Sequence, residues 1–385
     1  MFYSERSSHE STQNELAVAL DRLRANGTPW LDLTESNPTR AGIEYDRRAI
    51  LSALADERSL LYEPQAFGLA SAREAVAGEL GPYRVPAAQV VLTASTSEAY
   101  ALLFKLLCDP GDDVLVPQPS YPLFELLARY EGVKLVPYRL AYDGEWHMDL
   151  DSIRRARGPR SRAVLAVSPN NPTGSYTKRS ELRALAELGL PIVSDEVFAT
   201  YSFGDDPRRA TSALIEESVL VFSLGGLSKL AALPQMKLAW IAAGGPKSLV
   251  EGALGRLELI CDSFLSVGTQ VQHALPALLA SRGPATQAIQ ARTRQNLTTL
   301  RAALGNESPA SILKVEGGWY ATLRLPETES EERWVMDLLE QDHVYVHPGH
   351  FFDFVSEVHV ILSLLTRPDA FAEGARRIAS RVARC

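Results

Sequence analysis

Short runs of β-branched and aliphatic residues alternate with longer helix-like stretches through the middle of this chain. That alternation limits the fold more than any other feature. Val90 to Ala94, Val114 to Pro117, Val164 to Val167, Ile192 to Ser194, Val219 to Ser223 and Leu238 to Ala242 read as strands buried on both faces. Ser97 to Leu107, Tyr121 to Tyr130, Lys178 to Glu187 and Ser248 to Cys261 read as helices. A strand returning parallel to its predecessor needs a connection long enough to hold a helix. The order therefore predicts an α/β fold with a mostly parallel sheet covered on both faces.

The C-terminal third has another pattern. Leu313 to Leu325 and His359 to Leu365 look like strands, the first broken at Gly317-Gly318, and an amphipathic helix closes the chain from about Pro368 to Val382. With 385 residues, the chain exceeds one ordinary core, so two domains are expected. We expect a large domain over 48–285 and a smaller α+β domain built from 1–47 and 286–385. The helix from about Gln13 to Ala25 should pack with the small domain or across an oligomer interface.

Apolar residues make up 46% and charged residues 22%, which fits a soluble globular chain and not a disordered one. No apolar run is long enough to span a bilayer, and the start, Met1-Phe2-Tyr3-Ser4-Glu5-Arg6, lacks the basic-then-apolar order of a secretory signal. Cys108, Cys261 and Cys385 are too scattered for a disulfide framework or a zinc site. A cytoplasmic location is the default expectation. A net charge of −8 argues against nucleic acid as a partner but leaves room for a local cationic pocket.

Ligands of open α/β sheets bind beyond the carboxyl ends of the strands. Four segments put unusual residues there: Ser168-Pro169-Asn170-Asn171-Pro172-Thr173-Gly174, Ser194-Asp195-Glu196, Ser223-Leu224-Gly225-Gly226-Leu227-Ser228-Lys229, and Thr93-Ala94-Ser95-Thr96-Ser97-Glu98. Singly, each is an ordinary turn, cap or solvated lysine. An acid, an amide, a lysine and a small-residue turn at successive strand ends is more than packing selects.

In these segments the chain resembles the class I/II aminotransferases of the fold-type I pyridoxal-phosphate family, from Thr34 to about Ile378. The most specific matches are Asn171-Pro172-Thr173-Gly174, Asp195-Glu196, and Ser228-Lys229 followed by Pro234 and Trp240. The resemblance implies an enzyme that binds pyridoxal 5′-phosphate and moves amino groups by ping-pong half-reactions between an amino donor and a 2-oxo acid acceptor. Lys229 would carry the cofactor as an aldimine and then shuttle the substrate proton. Asp195 would keep the pyridine nitrogen protonated, so that the ring accepts electrons. Asn171 would donate to the cofactor O3′ and Tyr121 would stack on the ring. The phosphate would rest on Ser95, Thr96 and Ser97 at a helix start, with Ser228 and Lys237. Tyr62, in Tyr62-Glu63-Pro64-Gln65-Ala66-Phe67-Gly68, matches a tyrosine that the family lends to a neighbouring subunit, which implies a homodimer with shared sites. Ser36 matches a residue whose backbone touches substrate.

Three positions depart from the family pattern. Lys237 stands where an arginine clamps the phosphate, keeping the charge but losing the bidentate fork. Phe198 replaces a tyrosine that bonds O3′, which predicts a higher imine pKa; Tyr201 is a substitute donor. Ile361, in an ungapped register, takes the place of the arginine that pairs the substrate carboxylate. Arg367 or Arg324 would have to substitute, or the carboxylate be held otherwise, or the amine lack one.

His347 and His350 flank Pro348-Gly349 near the expected substrate side, while His273, His359, Trp319, Trp240 and Cys261 read as packing residues. A C–S lyase or another pyridoxal-phosphate enzyme would need the same electron sink. A ligand-sensing transcriptional regulator would need an N-terminal DNA-binding domain for which no room is expected. A dehydrogenase would need a Gly-x-Gly-x-x-Gly turn, which is absent.

Overall fold

A computed structural model describes residues 3–7 and 14–384. Gln13, Cys385 and the Met1-Phe2 start named above lie outside them. An eight-stranded sheet forms the centre. Across it run Val90–Thr93, Ala239–Gly244, Val221–Gly226, Ile192–Asp195, Ser161–Val167, Asp113–Gln118, Lys134–Tyr142 and Trp146–Met148. The strands from Val221–Gly226 to Lys134–Tyr142 are parallel, whereas Ala239–Gly244 runs antiparallel to both neighbours. Apolar clusters lie on both faces of the sheet, one holding Leu115, Val164, Ile192, Val221 and Trp240, the other Val91, Val114, Leu165, Val193 and Phe222. Alternate residues of one strand thus serve opposite cores, which is why these strands read as unbroken apolar runs.

The expected mostly parallel α/β sheet is present, with two strands that sequence reading passed over. Lys134–Tyr142 alternates exposed and buried positions and contains Pro137, so it lacks the continuous apolar signature. Trp146–Met148 pairs antiparallel at the sheet edge. The helices Thr269–Ala280 and Gly283–Leu304 were also not read from pattern.

A second, antiparallel sheet orders Ser311–Ile312, Tyr320–Leu325, Val358–Ser363 and His347–Pro348. Ala321, Leu323, Val360 and Leu362 point into a separate apolar cluster with Trp334, Leu338, Phe371 and Ile378. Its opposite face carries Tyr320 beside Ser363, Thr322 beside Ile361 and Arg324 beside His359. The closing helix spans Pro368–Val382, as the pattern predicts. The N-terminal helix Glu15–Ala25 sends Leu16, Ala19 and Leu23 into this second cluster, which selects the first of its two expected packing sites.

One expectation is corrected. Leu313 to Trp319 does not continue the strand that starts at Tyr320. Instead it bonds to loops of the large sheet: Glu316 N donates to Gly174 O (3.2 Å) and Gly318 N to Tyr201 O (2.9 Å). A glycine pair lets backbone approach backbone here, which a strand in its own sheet would not require.

Candidate active site

Parallel strands end on one side of the sheet, so Ser168, Asp195, Gly226 and the turn after Thr93 open on a common edge. Lys229 sits there in a single helical turn, Leu227–Leu230, directly after its strand. Its ammonium nitrogen lies over two aromatic rings, 5.4 Å from the centre of Phe198 and 5.0 Å from that of Trp319. Burial pushes the amine down to about 8, against the opposing pull of the Asp195 charge. Tyr201 donates its hydroxyl to the Lys229 carbonyl (2.6 Å), which fixes the backbone beneath the amine. Tyr201 therefore anchors the lysine, and the role of substitute O3′ donor is not what its hydrogen bond supports.

Asp195 ends its strand and is buried. Burial raises its carboxyl to about 6, against hydrogen bonds from the Val197 amide and the Tyr100 hydroxyl. These bonds are 3.2 Å to Oδ1 and 3.1 Å to Oδ2. Sequence reading missed Tyr100. Its signal was available, since Tyr100 lies one turn after Thr96 on the same helix face. Neighbouring Glu196 faces the other way and accepts from Ala213 N (2.7 Å) and Ser223 Oγ (2.8 Å), so it braces the loop rather than the site.

Asn171 is buried, and its Oδ1 finds no hydrogen-bond partner among the described residues. An orphaned amide oxygen costs free energy unless a ligand answers it. Tyr121 is partly exposed, with its ring edge-on to Phe124 at 6.0 Å and within reach of the Asp195 charge. Ser36 lies close to Tyr320, whose hydroxyl burial pushes up to about 12. Phe198 packs edge-on against Trp319 (5.2 Å) and Tyr320 (6.2 Å). Trp319 is thus a wall of the lysine pocket as well as a core filler.

The expected phosphate donors divide. Ser95 is the N-cap of Thr96–Leu107; its hydroxyl accepts from Glu98 N (3.1 Å), while Glu98 accepts from Ala94 N (2.6 Å). The Ser95 hydroxyl thus caps the helix as an acceptor and keeps its own proton to donate. Thr96 and Ser97 stay half-buried with first-turn amides that helix geometry leaves free. Ser228 is half-buried beside the lysine. Lys237 is exposed, at a left-handed backbone position with φ 52°.

Other residues are not gathered. Arg367 is largely exposed and pairs with Asp369 at 3.6 Å. Arg324 pairs with Glu357 at 3.0 Å on the rim of the second sheet. Ile361 is 1% exposed, between Thr322 and His347 in register. Among the described residues, no recorded contact brings Arg367 or Arg324 to the Lys229 cluster. His347 sits among Tyr345, Phe351 and Phe352, and burial lowers its pKa. His350 bonds Glu331 at 2.8 Å instead of facing the pocket. Tyr62 is 81% exposed and borders a cavity of about 310 Å³ running past Glu98 to Phe264–Gln272.

A pH dependence follows from the buried amine. Lys229 is protonated below about 8 and neutral above it. Only the neutral amine attacks an aldehyde. The rate at which the cofactor-free protein captures an aromatic aldehyde is expected to rise with pH and level off above about 8. Stopped-flow absorbance checks this, and a midpoint near the ordinary 10.5 would mean that the amine is solvated.

A half-buried lysine between aromatic rings, with a buried acid at the same sheet edge, offers an amine nucleophile of lowered pKa. The chain belongs to the aminotransferase class I and II family, whose model matches residues 28–368. It is 26% identical over 361 residues to the glutamate-pyruvate aminotransferase AlaA of Escherichia coli, covering 90% of this chain and 89% of that one. It is also 30% identical over 240 residues to an S-alkyl-thiohydroximate lyase of Arabidopsis thaliana, covering 60% of this chain and 52% of that protein. In structure it superposes on an alanine aminotransferase from Pyrococcus furiosus with a TM-score of 0.87 over 100% of both chains, at 23% identity. This chain is a fold-type I aminotransferase; its full-length likeness is to aminotransferases, and the C–S lyase alternative is not favoured. Among the described residues, no helix is long and apolar enough to cross a membrane.

Proposed function

We propose that this enzyme binds pyridoxal 5′-phosphate through Lys229 and transfers an amino group from a 2-amino acid to a 2-oxo acid. The observation that carries the reading is the buried Lys229 amine between Phe198 and Trp319, sharing its pocket with buried Asp195. Bound there, the cofactor supplies an electron sink for the substrate's Cα–H bond. The donor set fits it. Asp195 opposes the ring nitrogen, and a cation docked there favours its ionised form. The Asn171 side-chain Nδ2 would donate to the phenolic oxygen, and Tyr121 would cover the ring. Thr96, Ser97, Ser228 and Lys237 receive the phosphate, with Ser95 shaping the turn. Lys229, once free, would take the substrate proton at Cα and return it to the cofactor's aldehyde-derived carbon, across the nitrogen from Cα.

Ser36 and Asn171 line the substrate side. With Ile361 buried and Arg367 turned to Asp369, uncharged donors hold the substrate carboxylate, so it contributes less to binding than an arginine pair would. Likeness to the Escherichia coli relative makes glutamate and alanine the first donors to try, with pyruvate and 2-oxoglutarate as acceptors. Reconstituted enzyme mixed with one amino acid is expected to lose its lysine-bound absorbance and accumulate the pyridoxamine form. A 2-oxo acid should then reverse the change. Release of ammonia without an acceptor would instead identify a lyase.

We further propose a cytoplasmic homodimer, with residues 48–285 as the cofactor domain and 1–47 with 286–385 as the small domain. Tyr62 (81% exposed) and Phe264 (57%) support the dimer, since both line the 310 Å³ cavity. Tyr62 would reach the partner's phosphate. Sedimentation is expected to give twice the mass of the chain, and a monomer at micromolar concentration would remove this part of the proposal.

A further inference from the structure

Behind the pocket lies a buried charge cluster that the reaction does not use. Glu316 is 4% exposed and Lys178 6%. The Lys178 ammonium donates to both carboxylate oxygens, at 2.7 and 2.6 Å. Tyr176 N donates to Glu316 Oε2 at 2.9 Å, and Arg209 approaches within 3.7 Å. The Arg209 guanidinium also stacks on the Tyr176 ring at 4.4 Å.

A buried ion pair is a poor source of stability, because desolvation offsets most of its attraction; its best-attested use is to fix an arrangement. Three chain segments are arranged here. Glu316 N bonds Gly174 O, in the loop that carries Asn171. Phe203 N bonds Glu316 O and Gly318 N bonds Tyr201 O, in the segment whose Tyr201 hydroxyl holds the Lys229 carbonyl. Immediately after Gly318 come Trp319, which faces the lysine amine, and Tyr320, which packs on Phe198 at the same amine. The packing leaves no slack: a Cβ on Gly174 would lie 2.6 Å from Gly317 O, and one on Gly317 would lie 2.6 Å from Tyr201 O.

We propose that Glu316, clamped by Lys178, is a positioning residue that locks the Asn171 loop, the Tyr201–Lys229 contact and the Trp319–Tyr320 wall into one geometry. It touches neither substrate nor cofactor. The inference rests on the reading of the Lys229 pocket as a pyridoxal-phosphate site.

Glu316→Gln leaves the shape but removes the charge that gathers Lys178 and Arg209. Its dissociation constant for pyridoxal 5′-phosphate is expected to rise about tenfold, the scale of one displaced hydrogen bond. The pH titration of the bound-cofactor absorbance should move in the same direction as in Asn171→Ala. The double variant Asn171→Ala/Glu316→Gln should move no further than Asn171→Ala alone, because the two act through one contact. A lowered melting temperature with wild-type cofactor affinity and titration would overturn the proposal, as would additive shifts. Should Glu316→Gln not fold, Lys178→Gln/Glu316→Gln removes both charges; the proposal expects the same displacement from it and fails if that variant matches wild type. Wild-type protein that takes up no pyridoxal 5′-phosphate would sink the cofactor reading and this proposal together. Normal loading with an unperturbed variant sinks only this one.

Discussion

Lys229→Ala is expected to lower turnover by at least about four orders of magnitude, because on the proposed reading it removes the group that would both tether the cofactor and move the proton. The fold should survive. Lys229 occupies one helical turn, Leu227–Leu230, and its structural bond, from Tyr201 to the backbone carbonyl, does not involve the side chain. Deleting a buried amine, which burial holds down to about 8, also relieves desolvation. The sign follows from linkage: with a folded-state pKa below the unfolded value of 10.5, stability rises with pH between about 8 and 10.5, and the penalty is fully present below about 8. The cofactor-free variant should therefore melt no lower than wild type at neutral pH. Steady-state kinetics, cofactor absorbance and thermal unfolding check the three statements. Residual turnover within tenfold of wild type would remove Lys229 from the chemistry.

The second large effect is expected at Asp195. Asp195→Asn keeps the shape: its Oδ1 can still accept from the Val197 amide, while its Nδ2 donates to the Tyr100 hydroxyl oxygen and so reverses that bond. It cannot hold a proton on the ring nitrogen facing it. Losing one preorganised charge at a developing anion costs about two to three orders of magnitude in kcat. Cofactor affinity should change far less, because on the proposed reading the phosphate would be held at the other end, by the Thr96–Leu107 helix start. A drop in kcat with nearly unchanged loading supports the role. Equal losses in loading and kcat would make Asp195 a structural acid. Burial raises this carboxyl to about 6 in the cofactor-free protein. Its protonation is then a feature of the folded state between about 3.8 and 6, and the corresponding stability declines as pH rises through that window.

Much of the large sheet was legible, for a reason that can be stated. Ile192–Asp195 and Val221–Gly226 are sandwiched between two apolar clusters, so their residues are apolar on both faces. A strand with one wet face, such as Lys134–Tyr142, has no such run and was missed. The Gly317-Gly318 break was read correctly as an interruption, but not as a docking point. Only the partner segments, Gly174 and Tyr201, turn that break into a join.

Sequence alone determined which groups end the parallel strands, because the alternation of strand and helix puts Asn171, Asp195 and Lys229 at one edge whatever the details. Tertiary structure decided what those groups feel. Tyr100 reaches Asp195 across 95 positions, Glu316 meets Lys178 across 138, and Trp319 covers Lys229 from beyond three intervening helices. Such pairs leave no periodic trace in the chain, because they depend on how elements pack and not on how each element forms. The same packing left Arg367 on the surface.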